Sequence, residues 1–406
     1  MRLTIPHLTK KVTLMHRNHR VLSGDYDTYT HGFRKIRVIH HPTHIPVGVV
    51  LTGKDLDVQS LNYWLFWRGI PDYRVDVERL KRRFSIDDAK DLLEMEYALS
   101  VSDNYWLMPE NEDLHYHRLN FFDRPFDQEG FAKAMFRTDH YNPPETAMHT
   151  PNNTLCGYHR KAWMKKGESL YLLKGSTGFH QQECINEWLA SEMALRLGMK
   201  AVAYDVRIYE HQLVSACENF LNKHTDLVTA ENVLKTVKTS KKEFWIDLFL
   251  DTLENHGISD ASDRLDEQIV LDYLMMNTDR HLQNHGILTD AETNEWIAMA
   301  PIFDTGTGLG CFVKTPELAD YENHRTCKFL NARHFSHEDL LTLCGNVQRF
   351  DFSVLQDMPQ VFADKMVRYQ SQTGIPNERI EALCALLARR ISRIQNYQLN
   401  AANGGL

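Results

Sequence analysis

The sequence predicts an α+β fold with three parts: an N-terminal accessory α+β region, a small β-rich lobe and a mainly helical lobe. Three observations lead to this prediction. Apolar and polar residues alternate over residues 12–51, as in half-buried strands. Residues 169–217 follow the order strand, helix, hairpin, and apolar residues after position 245 recur with mainly helical spacing. A domain boundary is predicted near residue 145.

The composition is that of an ordinary globular protein. A chain of 406 residues exceeds the roughly 250–300 residues at which single cores stop growing, so we expect two or three domains. The net charge of -8 gives no general attraction to nucleic acid, and we expect no direct nucleic-acid partner. The seven cysteines include no C-x-x-C pair, which argues against a zinc ribbon and a disulfide framework.

Signals for membrane insertion or export are not evident in the sequence. No apolar run approaches the roughly 18 residues needed to cross a bilayer. The N-terminus lacks the basic-then-apolar pattern of a signal peptide. We therefore expect a cytoplasmic protein without a membrane partner.

The N-terminal region is predicted to begin with short strands and continue with helices. The strands are Val12–Met15, Arg20–Leu22, Ile36–Ile39 and Val47–Leu51. A helix follows at about 56–68, and Ser85–Asp88 is typical of a capping box that starts a second helix running to about Leu99. Residues 102–153 are aromatic and polar and show no clear element.

The remaining elements are predicted as follows. A strand covers 169–175, a helix covers 181–197 and ends at Gly198, and strands at 202–209 and 213–217 form a hairpin. Helices are expected from Trp245, capped by Ser240–Glu243, and at Leu265–Met276, 336–346, 353–371 and 377–399. Two short strands are expected at 286–288 and 296–299.

Three oxygen-bearing side chains follow one another in an order that suits phosphoryl transfer. Asp279 and Asn284 lie between a helix and a hairpin, and the hairpin leads into Asp304-Thr305-Gly306. Phosphoryl transfer needs a carboxylate that orients the acceptor hydroxyl and oxygen ligands that hold Mg²⁺. Asp279 fits the first role, and Asn284 and Asp304 fit the second. The alternative is that Asp279 caps a helix end and Asp304 begins a turn.

A cation for the phosphates of a nucleotide is also predicted. Lys174 ends an apolar strand, and the next helix presents Glu183 and Glu187 on one face. We choose Glu187 as the carboxylate that orients the lysine, because it lies beside the buried stripe of the helix. The alternative is an ordinary exposed lysine at a strand end.

The order of these motifs resembles that of the HipA-like serine/threonine kinases, bacterial relatives of the protein-kinase fold. In that family the catalytic segment is a helix, Asp-x-His-x-x-Asn, a hairpin and Pro-x-x-Asp, and this chain has Asp279, His281, Asn284, Pro301 and Asp304 at those places. The Asp-Arg-His sequence is also similar to phosphatidylinositol 3/4-kinases. The resemblance implies a bilobal, protein-kinase-like fold that uses ATP and Mg²⁺, with an accessory region at residues 1–145, a small β-rich lobe at 146–220 and a helical lobe at 221–400. It also implies that His281 packs or positions in the catalytic loop.

The resemblance also implies a phosphate-covering loop with a Ser or Thr, a Gly three residues on and a Lys four beyond that. Thr154, Gly157 and Lys161 match this pattern. Some HipA-like kinases phosphorylate the loop hydroxyl themselves and thereby switch off, so Thr154 is a candidate autophosphorylation site. The segment that joins the lobes would present Glu218 and Phe220 to the adenine; the alternative is a strand end with a core Phe.

Three functions remain open from the sequence. The first is a HipA-like protein serine/threonine kinase, in a toxin–antitoxin setting with a small helix-turn-helix antitoxin as partner and an unspecified protein substrate. The second is a lipid or small-molecule kinase, prompted by the Asp279 motif. The third is a non-catalytic, kinase-shaped binding protein.

Overall fold

The computed structural model describes residues 8–53, 55–237, 245–321, 326–329 and 333–403. These residues divide into two compact units, and each is described by itself. The first unit contains the described residues within Met1–Lys174, Glu218–Lys241 and Ile287–Ile297. The second contains those within Gly175–Cys217, Lys242–Gly286 and Ala298–Leu406.

The elements are numbered along the chain. The strands are β1 (Thr9–His16), β2 (His19–Asp27), β3 (Gly32–Ile39), β4 (Leu51–Thr52), β5 (Asp55–Leu56), β6 (Tyr105–Pro109), β7 (Lys161–Lys166), β8 (Ser169–Gly175), β9 (Tyr204–Tyr209), β10 (Gln212–Glu218), β11 (Thr225–Thr229), β12 (Gly286–Asp290), β13 (Trp296–Met299), β14 (Thr326–Phe329) and β15 (Arg333–Ser336). The helices are α1 (Val58–Phe66), α2 (Val77–Phe84), α3 (Leu92–Met95), α4 (Tyr116–Leu119), α5 (Gln128–Phe136), α6 (Gln182–Arg196), α7 (Ala230–Leu234), α8 (Trp245–Asn255), α9 (Ala261–Met275), α10 (His337–Leu341), α11 (Met358–Arg368), α12 (Gln370–Thr373) and α13 (Asn377–Ala402).

The first unit is built on an antiparallel sheet with the strand order β3-β2-β1-β6. Leu14 of β1 lies opposite Leu22 of β2 and Leu107 of β6. All three leucines belong to one buried cluster, to which α1 adds Leu61 and Leu65. Because strand side chains alternate between faces, this cluster lies on one face of the sheet, and Met15, Trp106 and Met108 on the other face belong to a second buried cluster. The hairpin β7-β8 and the small sheet β11-β12-β13 complete the unit.

The second unit surrounds one apolar core. Helix α6 contributes Ile185, Leu189 and Met193 at helical spacing, and the other contributors include Leu271 and Leu274 of α9, Phe362 and Met366 of α11, and Leu383, Leu387 and Ile394 of α13. Gly198 ends α6 as predicted: it has a left-handed φ of +69°, and its N–H donates to the carbonyl of Leu195 at 3.2 Å.

The predicted α+β class is confirmed, and the strand, helix and hairpin over 169–217 are found as β8, α6, β9 and β10. Two local predictions are wrong. Of the predicted strand Val47–Leu51, only Leu51 lies in a strand, β4, because Gly48 takes a left-handed φ of +90° in a turn. Ser85 does not start a helix; it ends α2 with a φ of +54°, and its N–H donates to the carbonyl of Arg82.

Several other predictions differ in extent or cannot be compared. The predicted helix at 336–346 is limited to the five residues of α10, and strands β6, β7 and β11 were not predicted. The predicted cap Ser240–Glu243 lies outside the described residues. Within the described ranges, no helix combines the length and apolar character needed to cross a bilayer.

Two buried histidines of the second unit make stability depend on pH. Burial, with the charge of Arg390 acting in the same direction, lowers the pKa of His337 to about 4. Burial likewise lowers the pKa of His285 to about 3, with Arg280 adding to the effect. Both imidazoles are therefore neutral in the folded protein at neutral pH.

We expect the free energy of unfolding to fall as the pH is lowered from about 6.5 towards 4. The unfolded chain binds protons on these histidines below a pKa of about 6.5, whereas the folded chain does not, so each group gives a slope of about 1.4 kcal/mol per pH unit. Urea unfolding over this pH range measures the slope. His337→Gln should reduce the slope by the contribution of one histidine, about 1.4 kcal/mol per pH unit. His211→Gln, in an exposed turn, should leave the slope unchanged. Equal slopes for His337→Gln and the unmodified protein would contradict the prediction.

Candidate active site

A buried ion pair links helix α9 to the loop that carries Asp279. Helix α9 ends at Met275, and Met276 follows with a left-handed φ of +48°. Arg280 turns back onto the helix, and its Nε and Nη2 donate to the two carboxylate oxygens of Asp272 at 2.8 and 2.9 Å. Burial alone would lower the pKa of Arg280, but the charge and the hydrogen bonds of Asp272, together with the charge of Asp304, outweigh burial and raise that pKa. The guanidinium therefore stays charged.

The same guanidinium also holds two motifs in one arrangement. Nη1 of Arg280 donates to the carbonyl of Asn284 at 2.5 Å and to the carbonyl of Phe303 at 2.7 Å. Asn284 closes the Asp279 motif, and Phe303 directly precedes Asp304. Because the guanidinium is planar and rigid, its hydrogen bonds fix the two motifs relative to each other.

Two further contacts support the start of the loop. Asn277 Nδ2 donates to Asp272 at 2.8 Å, and its Oδ1 accepts the N–H of Asp279 at 3.1 Å. The N–H of Thr278 donates to the carbonyl of Thr307, at 3.1 Å, within the segment that follows Asp304. The backbone of Asp279 is thus held from both sides.

The functional side chains of the loop differ in exposure. Asn284 is buried and its Nδ2 donates to the carbonyl of Asp279 at 2.9 Å, which leaves the amide oxygen as the atom that could hold a metal. The side chain of Asp279 is 50% exposed, with His281 Nε2 at 3.9 Å from its Oδ2. The N–H of Gln283 donates to Nδ1 of His281 at 3.2 Å, so the ring proton is on Nε2, facing Asp279.

Asp304 lies at a bend beside Tyr204. Asp304 has a left-handed φ of +57°, and its N–H donates to the Tyr204 hydroxyl at 3.3 Å. Burial raises the pKa of Tyr204 well above its usual value, and the charges of Cys217, Glu187 and Asp304 raise it further. The hydroxyl therefore stays protonated close to two carboxylates.

Helix α6 brings Glu187 against the Asp304 segment. Glu187 is buried and accepts a hydrogen bond from the Ser215 hydroxyl of β10. A Cβ at Gly306 would lie 3.0 Å from Cγ of Glu187, so glycine at 306 permits this close approach. Asn186 Nδ2 donates to the carbonyls of Gly306 and Gly308 at 3.0 and 2.8 Å, which fastens the helix to the segment.

In the first unit, the two predicted cations are cross-strand neighbours. Lys161 of β7 lies directly opposite Lys174 of β8. Lys174 is only 6% exposed and Lys161 is half-buried. The two side chains give this end of the hairpin a concentration of positive charge, which attracts anions.

The loop before β7 contains the other predicted residues of the phosphate loop. Gly157 has a left-handed φ of +107°, and a Cβ there would lie 2.8 Å from Nζ of Lys161, so a larger residue would displace the lysine. Thr154 is buried, and its hydroxyl lies 3.0 and 3.1 Å from the carbonyl oxygens of Leu99 and Pro151. Gly157, Lys161 and Lys174 therefore lie close together in this unit, whereas the Thr154 hydroxyl is turned towards Leu99 and Pro151.

The predicted adenine-binding segment follows β10. Glu218 is exposed and Phe220 is half-buried. The N–H of Asn219 donates to the carbonyl of Leu170 at 2.7 Å, and its side chain accepts the N–H of Leu221 at 3.1 Å. The backbone of this segment is thus fixed to β8.

The second unit brings Asp279, His281, Asn284, Asp304 and Glu187 together. Sequence reasoning missed the residues that hold this group. Asp272, eight positions before Arg280, belongs to no recognisable motif, because its contact with Arg280 depends on how α9 turns into the loop. Tyr204 belongs to none either, because it reaches Asp304 from a strand a hundred positions earlier.

The donor set of the second unit fits Mg²⁺. Among the described residues, no group of three or more His, Cys, Asp or Glu side chains could hold a metal by itself. Mg²⁺ in nucleotide sites commonly takes one or two protein oxygens and completes its shell with phosphates and water. The carboxylate of Asp304 and the amide oxygen of Asn284 are ligands of that kind.

Comparison with known proteins agrees with the sequence motifs. Residues 153–310 match the family described as HipA-like C-terminal domain. A serine/threonine-protein kinase of Helicobacter pylori, CtkA, is 29% identical over 231 residues, which are 52% of this chain and 70% of that protein. The predicted resemblance to HipA-like proteins is confirmed, and the relationship supports a serine/threonine kinase-like function.

Two solved structures are similar to this chain. HipA of Shewanella oneidensis, in a complex with HipB and operator DNA, aligns over 95% of this chain and 99% of its own with 12% identity and a TM-score of 0.53. The Helicobacter pylori proinflammatory kinase CtkA aligns over 62% of this chain and 94% of its own, with 20% identity and a TM-score of 0.47. The HipA likeness supports the predicted kinase-like fold class.

We expect Arg280→Met to lower the free energy of unfolding by roughly 3–5 kcal/mol, because the variant leaves Asp272 buried without its cation. Urea unfolding followed by circular dichroism measures the change. The matched control is Arg196→Met, which removes the ion pair of Arg196 with the exposed Asp357. Surface ion pairs contribute little to stability, so the urea midpoint of Arg196→Met should not differ measurably from that of the unmodified protein. A similar loss in both variants would contradict the central role of Arg280.

Proposed function

We propose that this chain, whose residues 153–310 form a HipA-like C-terminal domain, is an ATP- and Mg²⁺-dependent protein serine/threonine kinase. The observation that carries the proposal is that one buried guanidinium, that of Arg280, is bonded to both the Asp279 motif and the segment of Asp304. A carboxylate and two metal-binding oxygens held in one rigid group are the parts that phosphoryl transfer needs.

Each residue of the second unit has a proposed role. Asp279, half-exposed and backed by His281, orients the acceptor hydroxyl and receives its proton. Asn284 and Asp304 hold the metal through oxygen atoms. When bound, Mg²⁺ supplies positive charge that neutralises the phosphates of ATP. Glu187 is the proposed carboxylate that orients Lys174.

The residues of the first unit are proposed to bind ATP. Lys174 and Lys161 supply the charge that attracts the phosphates, which gives a reason for two lysines opposite each other on one hairpin. Gly157 lets the loop backbone approach the phosphates. Glu218 and Phe220 are the proposed contacts of the adenine. Residues 1–145, 146–220 and 221–400 remain the proposed functional division of the chain.

A partner is proposed on the same family basis. The Shewanella oneidensis HipA structure contains HipB and operator DNA, which makes a small helix-turn-helix antitoxin the proposed partner of this chain and a toxin its proposed role. The acceptor is proposed to be a protein. A lipid or small-molecule kinase and a non-catalytic binding protein are the alternatives that experiment must separate.

We expect Asp279→Asn to slow phosphoryl transfer by roughly 10²–10⁴-fold, because the acceptor hydroxyl loses its proton acceptor. Incubation with γ-labelled ATP, Mg²⁺ and a cell lysate, followed by separation of protein, lipid and metabolite fractions, measures the transfer. ATP affinity should change little, since Asp279 is not among the proposed phosphate contacts.

The matched control is Asp260→Asn, an aspartate with a similarly exposed side chain before α9. It should retain full transfer. Labelling that persists unchanged in Asp279→Asn would defeat the assigned mechanism. Label found only in lipid or metabolite would favour the second function, and ATP binding without any transfer would favour the binding protein.

Autophosphorylation of Thr154 is proposed as the regulatory reaction. Because its hydroxyl is buried against two carbonyls, the segment Pro151–Thr154 must open first, and we expect slow and incomplete modification. Mass spectrometry of peptides after incubation with ATP and Mg²⁺ detects the phosphate, and Asp279→Asn serves as the unreactive control. An active enzyme in which Thr154 stays unmodified would remove this proposal.

A further inference from the structure

We propose that residues 74–76 of the accessory region are a clamp that shapes the phosphate loop, and that Arg74 is its central positioning residue. The inference rests on the proposed function, because the role of the loop at 154–161 as a phosphate loop comes from it. It gives the accessory region a task in nucleotide binding.

The side chain of Arg74 is buried and forms hydrogen bonds with the loop. It is 2% exposed, its Nε donates to the carbonyl of Gly157 at 3.1 Å, and its Nη2 donates to the carbonyl of Leu155. Burial lowers the pKa of Arg74 to about 10, an effect that Cys156 and Tyr73 partly offset. A guanidinium is costly to bury, so its placement against two loop carbonyls indicates that fixing the loop has a function.

The next two residues of the chain extend the contact. The N–H of Val75 donates to the carbonyl of Tyr158 at 2.9 Å. Asp76 forms an ion pair with Arg160 at 2.6 Å. Three consecutive accessory residues therefore bind the loop from Leu155 to Arg160.

The clamp determines which way the loop peptides point. The carbonyls of Leu155 and Gly157 face Arg74, that of Tyr158 faces Val75, and that of Cys156 lies 3.5 Å from Nζ of Lys161. In a trans peptide the N–H points opposite to the C=O. The N–H groups of Cys156 and Tyr158 are therefore directed away from Arg74. Backbone N–H groups presented in this way are suited to phosphate oxygens.

Experiment can distinguish an arginine that shapes the phosphate loop from one that only stabilises the accessory region. Arg68 provides the comparison, since it is also buried in the first unit but donates to the carbonyls of Ala98 and Tyr105, at 2.8 and 3.0 Å. Loss of Arg68 weakens the accessory region itself. Loss of Arg74 frees the phosphate loop.

The test compares Arg74→Gln, Arg74→Lys and the control Arg68→Gln in the full chain. Hydrogen exchange of peptides covering residues 154–161 is measured without nucleotide, and KM for ATP and kcat are measured with Mg²⁺. We expect Arg74→Gln to speed exchange in the loop and to raise KM about ten-fold with a smaller change in kcat, because charged hydrogen bonds are lost. Arg74→Lys should lie in between, since a lysine lacks the fork that spans two carbonyls.

The outcomes separate the clamp from the proposed function. Unchanged loop exchange in Arg74→Gln, or an equal rise in KM for Arg68→Gln, overturns the clamp. If the unmodified chain binds no ATP, the proposed function fails, while faster loop exchange in Arg74→Gln would still support the clamp. Should Arg74→Gln not fold, Asp76→Asn releases Arg160 from a less buried site and must show the same faster exchange.

Discussion

The ion pair of Arg280 with Asp272 is the interaction on which the second unit's functional group depends. Burying two charges costs several kcal/mol per ion unless geometry and further hydrogen bonds compensate. Here the guanidinium makes two bonds to the carboxylate and two to backbone carbonyls, so four of its five donors are used. The hydrogen bonds that compensate for burying the two charges are therefore the same bonds that position Asn284 and Asp304.

Other buried arginines also hold loops that have no strand partners. Arg379 donates to the carbonyls of Gly310 and Val313, at 3.0 and 2.7 Å. Arg74 does the same for the loop at 155–157. Backbone carbonyls in irregular segments need donors, and one guanidinium supplies up to five in a fixed plane. The functional loops are therefore shaped by side chains at distant positions in the sequence.

This dependence explains what the sequence could and could not predict. Periodicity predicted α6 and the hairpin β9-β10, and motif order predicted the residues grouped around Asp279, because both signals are local. Ser85 was misread because its capping pattern is also compatible with the left-handed end of α2 that the structure shows. The role of Arg74 was invisible, since it depends on a contact some eighty positions along the chain.

The lysines Lys161 and Lys174 are relevant to nucleotide binding, whereas Asp279 is relevant to catalysis. Lys161 and Lys174 place two cations side by side on one hairpin, and such positive charge would suit nucleotide phosphates in an active kinase and in an inactive relative alike. Asp279 is different, because a binding protein gains nothing from a half-exposed carboxylate whose backbone is held by Asn277 and Asn284. That support makes sense for a group that must meet an acceptor hydroxyl in one orientation. The case for catalysis therefore depends on how Asp279 is held.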